Sequence, residues 1–223
     1  MVERYVLPEQ ATAEREFMPG DCWWRFRASY NVYCPQYVPA VRLYSGRLEG
    51  VMMRWGFVPA AAEGKPGEKE VPWIGAELAE QGADYRGAWL NSQRCILPAA
   101  GYYVWQLTLQ RFRQPFYVRV RDRASFGFAA IWDRSVTEDD DVVESCAILT
   151  LPANDLVAGL DNVEKRMPAI LRRKDYHSWL TGTPVRARNA LAPYPAEWME
   201  AYPVSPRVNS IKHNDPTLIR PLS

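Results

Sequence analysis

Residues 38–55, "VPAVRLYSGRLEGVMMRW", predict a β-hairpin, and this hairpin decides the fold class. Two runs rich in apolar and β-branched side chains, 38–44 and 48–55, flank the short polar segment Ser45-Gly46-Arg47. A connection this short suits antiparallel strands, because parallel strands need a much longer crossover. Further runs of the same kind follow at residues 115–120, 126–132 and 144–151. We therefore expect an α+β protein with a mainly antiparallel sheet.

Helical patterns are fewer and shorter than the predicted strands. The best candidates are residues 85–90, 174–180 and 196–201. Residues 62–71, "AEGKPGEKEV", predict a polar loop because Gly and Pro interrupt regular structure. The proline-rich residues 184–206 predict irregular chain on the surface. The helices are therefore expected at the periphery of the sheet.

Length and composition indicate a single globular domain, residues 1–223. Hydrophobic residues make up 48% of the chain and aromatic residues 13%, which excludes a disordered protein. The net charge of +1 gives no overall attraction to nucleic acid, so any such binding needs a local basic patch. No apolar run approaches the roughly 20 residues of a membrane helix. The charged N-terminus does not resemble a signal peptide, and we expect a cytoplasmic protein without membrane contact.

The residues that commonly bind metals are scattered along the chain. No C-x-x-C pair occurs, and the two histidines lie in unrelated segments. The positions are Cys22, Cys34, Cys95, Cys146, His177 and His213. Each cysteine is most simply a small buried residue in a reducing compartment. A Cys-His nucleophile pair requires that the fold bring distant positions together. We expect neither a metal site nor a cofactor.

A run of alternating arginines offers the one clear basic patch. Arg119, Arg121 and Arg123 are predicted on one side of a strand, with Val118 and Val120 on the other. Such a stripe can form a charged groove with stacking rings for single-stranded nucleic acid, together with the nearby residues Arg111, Phe112, Arg113, Phe116 and Tyr117. The alternative is the solvated face of a hairpin, since charge runs on such faces are common. Composition alone favours the solvated face.

Six collinear segments resemble the SRAP family, the SOS-response-associated peptidases that are also called abasic-site processing proteins. They are "YNVYCPQYVPAVR", "MRWGFVPAAA", "AWLNSQRCILPAAGYYVW", "ESCAILTLPAN", "KRMPAILRRKDYHSWL" and "PVSPRVNSIKHNDPTLIRP". The resemblance covers nearly the whole chain in the order of the family. It implies that the antiparallel sheet curls into a barrel-like core with short peripheral helices.

The resemblance also implies a defined chemistry at abasic sites in single-stranded DNA. Family members attach to the sugar aldehyde through an N-terminal cysteine that is uncovered when the initiator Met is removed, and the product is a stable ring. Around this cysteine the family places an Asn in "N-A-R-A-E-T", a Glu in "G-F-Y-E-W" and a His in "H-D-R-M-P".

All four of these chemical positions are substituted in this sequence. "M-C-G-R" becomes "MVER", which puts Val2 at the nucleophile. "N-A-R-A-E-T" aligns with "WIGAEL", where Trp73 replaces the Asn and Gly75 the Arg. "GYYVW" places Val104 at the Glu position, and "EKRMP" places Glu164 at the His position. The ring product needs a thiol beside the α-amine, and Val104 can neither accept nor give a proton.

Other family positions are retained, namely Arg4, Asn31, Trp105 and Arg166. We expect the two arginines to hold phosphates and the Trp105 ring to line the pocket. A buried Asn31 is also expected to satisfy backbone groups. The main hypothesis is a protein that binds single-stranded DNA, with or without abasic sites, but forms no cysteine crosslink.

Two alternatives remain open at this level. In the first, the α-amine of Val2 forms a Schiff base with an abasic aldehyde, and Glu164 accepts a proton during strand cleavage. In the second, the chain is a pseudoenzyme whose old cleft, filled by Trp73, binds a protein or a small ligand. The retained scaffold is compatible with both alternatives.

Overall fold

The computed structural model of the protein describes residues 3–17, 20–59, 70–136 and 140–222. Val2 lies outside these residues, as does most of the loop predicted at 62–71. The strands of the described residues fall into two sheets. They are β1 Arg4–Leu7, β2 Asp21–Cys22, β3 Ser29–Tyr33, β4 Gln36–Tyr44, β5 Arg47–Trp55, β6 Trp73–Gly75, β7 Arg94–Ala99, β8 Gly101–Leu107, β9 Arg113–Val120, β10 Phe126–Val136, β11 Val142–Pro152, β12 Arg166–Pro168, β13 Ile170–Leu171 and β14 Met199–Pro203.

The opening hairpin forms as its sequence predicts. Strands β4 and β5 pair antiparallel from Gln36 opposite Trp55 to Tyr44 opposite Arg47. The two residues between them have positive φ angles, 48° at Ser45 and 78° at Gly46. This backbone matches the two-residue turn whose twist suits paired strands.

A closed barrel forms the centre of the larger sheet. Its strands are ordered β11-β10-β7-β4-β5, and a parallel contact between β5 and β11 closes the ring. The smaller sheet has the order β14-β9-β8-β1-β3 and is antiparallel throughout. The prediction of a mainly antiparallel sheet curled into a barrel-like core is confirmed.

Apolar side chains fill three clusters that follow the faces of the two sheets. The first joins barrel residues such as Trp55 and Phe128 to Tyr5 and Val104 of the smaller sheet. A second cluster lies on the opposite face of the barrel strands, beneath the helices. In the third cluster, the C-terminal segment packs against the other face of the smaller sheet, and Val208 of this segment is fully buried. The smaller sheet is therefore covered on both faces.

Short helices surround the sheets, as expected. They are α1 Gln10–Phe17, α2 Ala76–Gln81, α3 Ala83–Leu90, α4 Asp155–Leu160, α5 Tyr176–Thr181 and α6 Pro184–Asn189. The predicted helices at 85–90 and 174–180 correspond to α3 and to a 3-10 turn followed by α5. None of the helices formed by the described residues is long and apolar enough to cross a membrane.

Two predictions for the C-terminal third are wrong. The helix predicted at 196–201 is a 3-10 turn, Ala196–Trp198, followed by β14. Backbone pairing of β14 with β9 outweighs the local helical pattern. The stretch 184–206 is also more regular than expected, because α6 begins with Pro184 at its first turn and Thr183 caps it.

Candidate functional site

Arg4 is the first residue of β1, an interior strand of the smaller sheet, and three groups fix its guanidinium. Its Nη1 donates to Oδ1 of Asn31 at 3.0 Å, and its Nη2 donates to the carbonyl of Asn209 at 3.1 Å. The guanidinium also lies over the ring of Tyr33, 5.6 Å from the centroid. Partial burial lowers the pKa of Arg4, and Glu3 partly counters this shift. The charge is thus held in one position at the protein surface.

Asn31 ties the C-terminal segment to β3. Its side chain is buried, and Nδ2 lies 3.3 Å from the carbonyl of Val208, 3.1 Å from that of Ser210 and 2.8 Å from that of His213. Its Oδ1 accepts from Arg4. The predicted backbone role of Asn31 is therefore observed. Its predicted contact with DNA stays a prediction. Its hydrogen bond to Arg4 orients the guanidinium of that residue.

A cavity of about 250 Å³ opens beside Arg4. Its lining residues are Glu3, Arg4, Trp105, Arg113 and Asn209. The indole Nε1 of Trp105 donates to Oδ1 of Asn209 at 2.8 Å, which fixes the ring plane. Arg113 is exposed at the start of β9, and its guanidinium has no ion-pair or hydrogen-bond partner within the described ranges. Two cations and one indole thus face the same space.

A smaller cavity of about 30 Å³ continues from the first. It shares Glu3, Trp105 and Arg113 with the larger cavity and adds Leu107, Asp161, Val163 and Glu164. Asn162 joins the turn at residues 162–164 to the end of β8. Its Oδ1 accepts from the Leu107 amide at 3.1 Å, and its Nδ2 donates to the Leu107 carbonyl at 2.8 Å. This anchoring holds the exposed Glu164 carboxylate beside the indole.

Arg166 is engaged in a separate cluster. Its Nη1 lies 2.8 Å from Oε1 of Glu77, while Nε and Nη2 donate to Oγ1 and the carbonyl of Thr150 at 3.1 and 2.9 Å. A Cβ added at Gly75 would lie 2.8 Å from Oε1 of Glu77 and 3.1 Å from Nη2 of Arg166. Glycine at this position therefore permits the observed ion pair. The predicted phosphate contact of Arg166 stays a prediction.

The three substituted family positions that the structure describes, Trp73, Val104 and Glu164, do not line either of these two cavities together. Val2 lies outside the described residues. Trp73 is half-buried opposite Ile148 of β11 and does not line either of these two cavities. Val104 is buried in the core, whereas Glu164 lines the smaller cavity. Of the three described positions, only Glu164 lines one of these two cavities together with Arg113 and Trp105.

The predicted arginine stripe is only partly formed. Strand β9 includes Arg119, but Arg121 and Arg123 follow its end in the turn toward β10. The prediction that all three lie on one side of a strand is therefore wrong. Arg119 forms an ion pair with Glu200 of β14, and it lies at the opposite end of β9 from Arg113. The DNA contacts of Arg119 and Arg121 stay predictions.

Sequence reasoning selected neither Glu3 nor Asn209, and it placed Arg113 near the predicted arginine stripe rather than beside Trp105. Their grouping depends on antiparallel pairing of β8 with β9, which places Leu107 opposite Arg113 and Trp105 opposite Pro115. A hairpin prediction that joined residues 101–107 to 113–120 would have brought Arg113 close to Trp105. No local pattern identifies Asn209, because its contact with Trp105 spans 104 residues.

Comparisons with known proteins agree with this fold and with the order of its segments. The family model described as SOS response associated peptidase (SRAP) matches residues 1–211. Abasic site processing protein YoqW of Bacillus subtilis (strain 168) is 31% identical over 208 residues, covering 92% of this chain and 89% of YoqW. YoaM, an abasic site processing protein of the same organism, is 30% identical over 198 residues, with 87% and 85% covered.

A solved structure from Bacteroides thetaiotaomicron gives the same result at the level of the fold. Its TM-score is 0.79 at 25% sequence identity, and the match covers 87% of this chain and 85% of that one. The barrel and the smaller sheet are thus shared with an experimentally determined protein. Together with the family match over residues 1–211, this similarity shows that the chain belongs to the SRAP family.

Proposed function

We propose that this protein binds single-stranded DNA, including DNA with abasic sites, without the cysteine crosslink of its family. One observation carries the proposal: Arg4, Trp105 and Arg113 line the same cavity. Guanidinium groups bind phosphates through paired, charge-assisted hydrogen bonds. An indole offers a face on which any base or exposed sugar can pack. The cavity therefore combines the two contacts that single strands need.

The names of the relatives support abasic DNA as the ligand. YoqW and YoaM are abasic site processing proteins, and both matches span most of this chain. The residues present here favour binding over the covalent step, because Val2 offers no thiol and Val104 offers no proton. Asn31 orients Arg4, and Arg166 joins β12 to Thr150 of β11.

A salt titration tests the proposal. We expect affinity for a fluorescent single strand to fall with added salt, with a logarithmic slope of about −1.4 if Arg4 and Arg113 each contact one phosphate. Intact and abasic strands should both bind, and a denaturing gel should show no adduct with either. Binding that does not depend on salt, or an adduct that survives denaturation, would contradict the proposal.

A second candidate function is reversible Schiff-base chemistry at the α-amine of Val2. Glu3, the next residue in the chain, lines both cavities, and Glu164 lines the smaller one. Glu3 and Glu164 thus line one cavity together. An α-amine has a typical pKa of about 7.7 to 8.0, so part of it is unprotonated and nucleophilic at neutral pH.

Borohydride trapping distinguishes this second candidate from simple binding. If the Val2 amine reacts, we expect a reduced adduct with an abasic strand, no adduct with an intact strand, and loss of the adduct after acetylation of the N-terminus. Glu164→Gln should slow strand cleavage while leaving trapping in place, because only the later proton transfer uses the carboxylate. No adduct, or one that resists N-terminal acetylation, rules this candidate out.

The position of Trp73 gives no support to an occluded pseudoenzyme cleft. Its indole is half-buried in β6, and the cavity beside Arg4 is not lined by it. The space between Arg4, Trp105 and Arg113 is open in the described part of the chain. Binding of DNA therefore remains the better supported proposal.

A further inference from the structure

A cavity of about 470 Å³ lies beside the turn between β9 and β10. Arg113 of the proposed DNA site is the first residue of β9 and therefore lies at the opposite end of this strand. Helix α1, this turn and the 3-10 turn before α5 supply its walls. The lining residues are Thr12, Arg15, Glu16, Asp122, Arg123, Ala124, Ser125 and Arg173. This cavity shares no residue with the DNA site proposed above.

The charges around this cavity favour an anion. Three arginines face two carboxylates, and one of these, Glu16, is already neutralised by an ion pair with Arg123. Arg173 is exposed, and among the described residues its guanidinium has neither an ion-pair nor a hydrogen-bond partner. Arg15 makes only long contacts of 3.3 and 3.4 Å within its own helix. Two guanidinium groups are therefore available to a ligand.

Ser125 adds an independent polar group to the same cavity. The residue is 3% exposed, and its Oγ has no hydrogen-bond partner within the described ranges. Buried hydroxyl groups nearly always have a partner, because a buried and unsatisfied one is costly. This oxygen has almost no accessible surface, so it lies in the cavity wall, and a ligand oxygen that reaches it would supply the missing partner.

An apolar cavity of about 240 Å³ adjoins the first. The two share Glu16 and Arg173, and the second is walled mainly by Phe17, Val41, Leu48, Ile96, Tyr176 and Leu180. The hydroxyl of Tyr176 donates to Oε1 of Glu16 at 3.2 Å, so the tyrosine ring is fixed at the boundary. A molecule that spans both cavities would have a charged head and an apolar body.

We propose that these adjoining cavities bind a phosphate monoester of an apolar or aromatic group. The phosphate lies between Arg15, Arg173 and the Ser125 hydroxyl, and the organic part packs against Tyr176 and Leu180. A phosphate supplies enough acceptor oxygens for all three donors at once. This proposal does not rest on the proposed binding of single-stranded DNA.

Phenyl phosphate is the probe that tests this site, measured by isothermal titration with the full chain. We expect Arg173→Gln and Arg15→Gln each to weaken binding about tenfold, since each removes a charge-assisted contact. Ser125→Ala should weaken it severalfold without lowering thermal stability, because the substitution removes an unpaired buried hydroxyl. Arg186→Gln, an exposed arginine on α6, is the matched control and should change nothing.

Further ligands separate the parts of the proposal. Phenol and inorganic phosphate should each bind at least tenfold more weakly than phenyl phosphate, because each fills only one cavity. Competition by a 5′-phosphorylated but not a 5′-hydroxyl oligonucleotide would identify a DNA end as the source of the phosphate, and no competition would identify a small molecule. No saturable binding of phenyl phosphate, or an equal loss in Arg186→Gln, would overturn the site.

Discussion

Arg94→Met is expected to lower the free energy of unfolding by about 3 kcal/mol, since each charge-assisted hydrogen bond contributes roughly 1.5–3 kcal/mol. Arg94 is 1% exposed, and burial lowers its pKa to about 10. Its guanidinium forms no ion pair among the described residues. Instead, Nε donates to the carbonyl of Trp179 at 2.7 Å, and Nη2 donates to that of Gly182.

These bonds satisfy the C-terminal end of α5, which otherwise leaves carbonyl groups without donors. Methionine fills much of the same volume but cannot donate, so the carbonyl groups lose their partners. Urea unfolding of the purified chain measures the change. Arg188→Met is the matched control, because Arg188 is exposed and its ion pair with Glu80 is worth about 1 kcal/mol or less. Equal stability of Arg94→Met and the parent chain would disprove the anchoring role.

Arg113→Gln is expected to weaken binding of single-stranded DNA about tenfold at low salt, the effect of losing one charge-assisted phosphate contact. The logarithmic salt slope should become shallower by about 0.7. Arg113 is suited to this test because it is exposed and lines both cavities of the candidate site. Its substitution breaks no internal hydrogen bond within the described ranges, so folding should be unaffected.

Arg119→Gln provides the matched control on the same strand. Arg119 is paired with Glu200 and lies at the far end of β9, so we expect its removal to change DNA affinity less than twofold. Fluorescence anisotropy with one labelled strand compares the two variants directly. If Arg119→Gln weakens binding as much as Arg113→Gln does, the DNA path follows the arginine stripe and the cavity beside Trp105 is not its centre.

Local sequence patterns predicted the strands that carry strong alternation. The predicted runs at 115–120 and 126–132 lie within β9 and β10. Short strands such as β2 and β14 escaped prediction because two to five residues hold little periodic signal. Strands β7 and β8 were also missed, although they have six and seven residues. Strand β14 exists because it pairs with β9, a partner about 80 residues away in the chain, as Glu200 opposite Arg119 shows.

The sequence by itself determined the hairpin at 38–55 and the family of the chain. Alternating apolar residues and a glycine-containing turn act locally, and six collinear segments retain the family pattern. Only the tertiary structure decided which charges share a site. Long-range strand pairing places Arg113 beside Trp105 and directs Arg119 to Glu200, although both arginines come from the same basic run. The surroundings of a charge, and hence the ligands open to it, depend on contacts between distant parts of the chain.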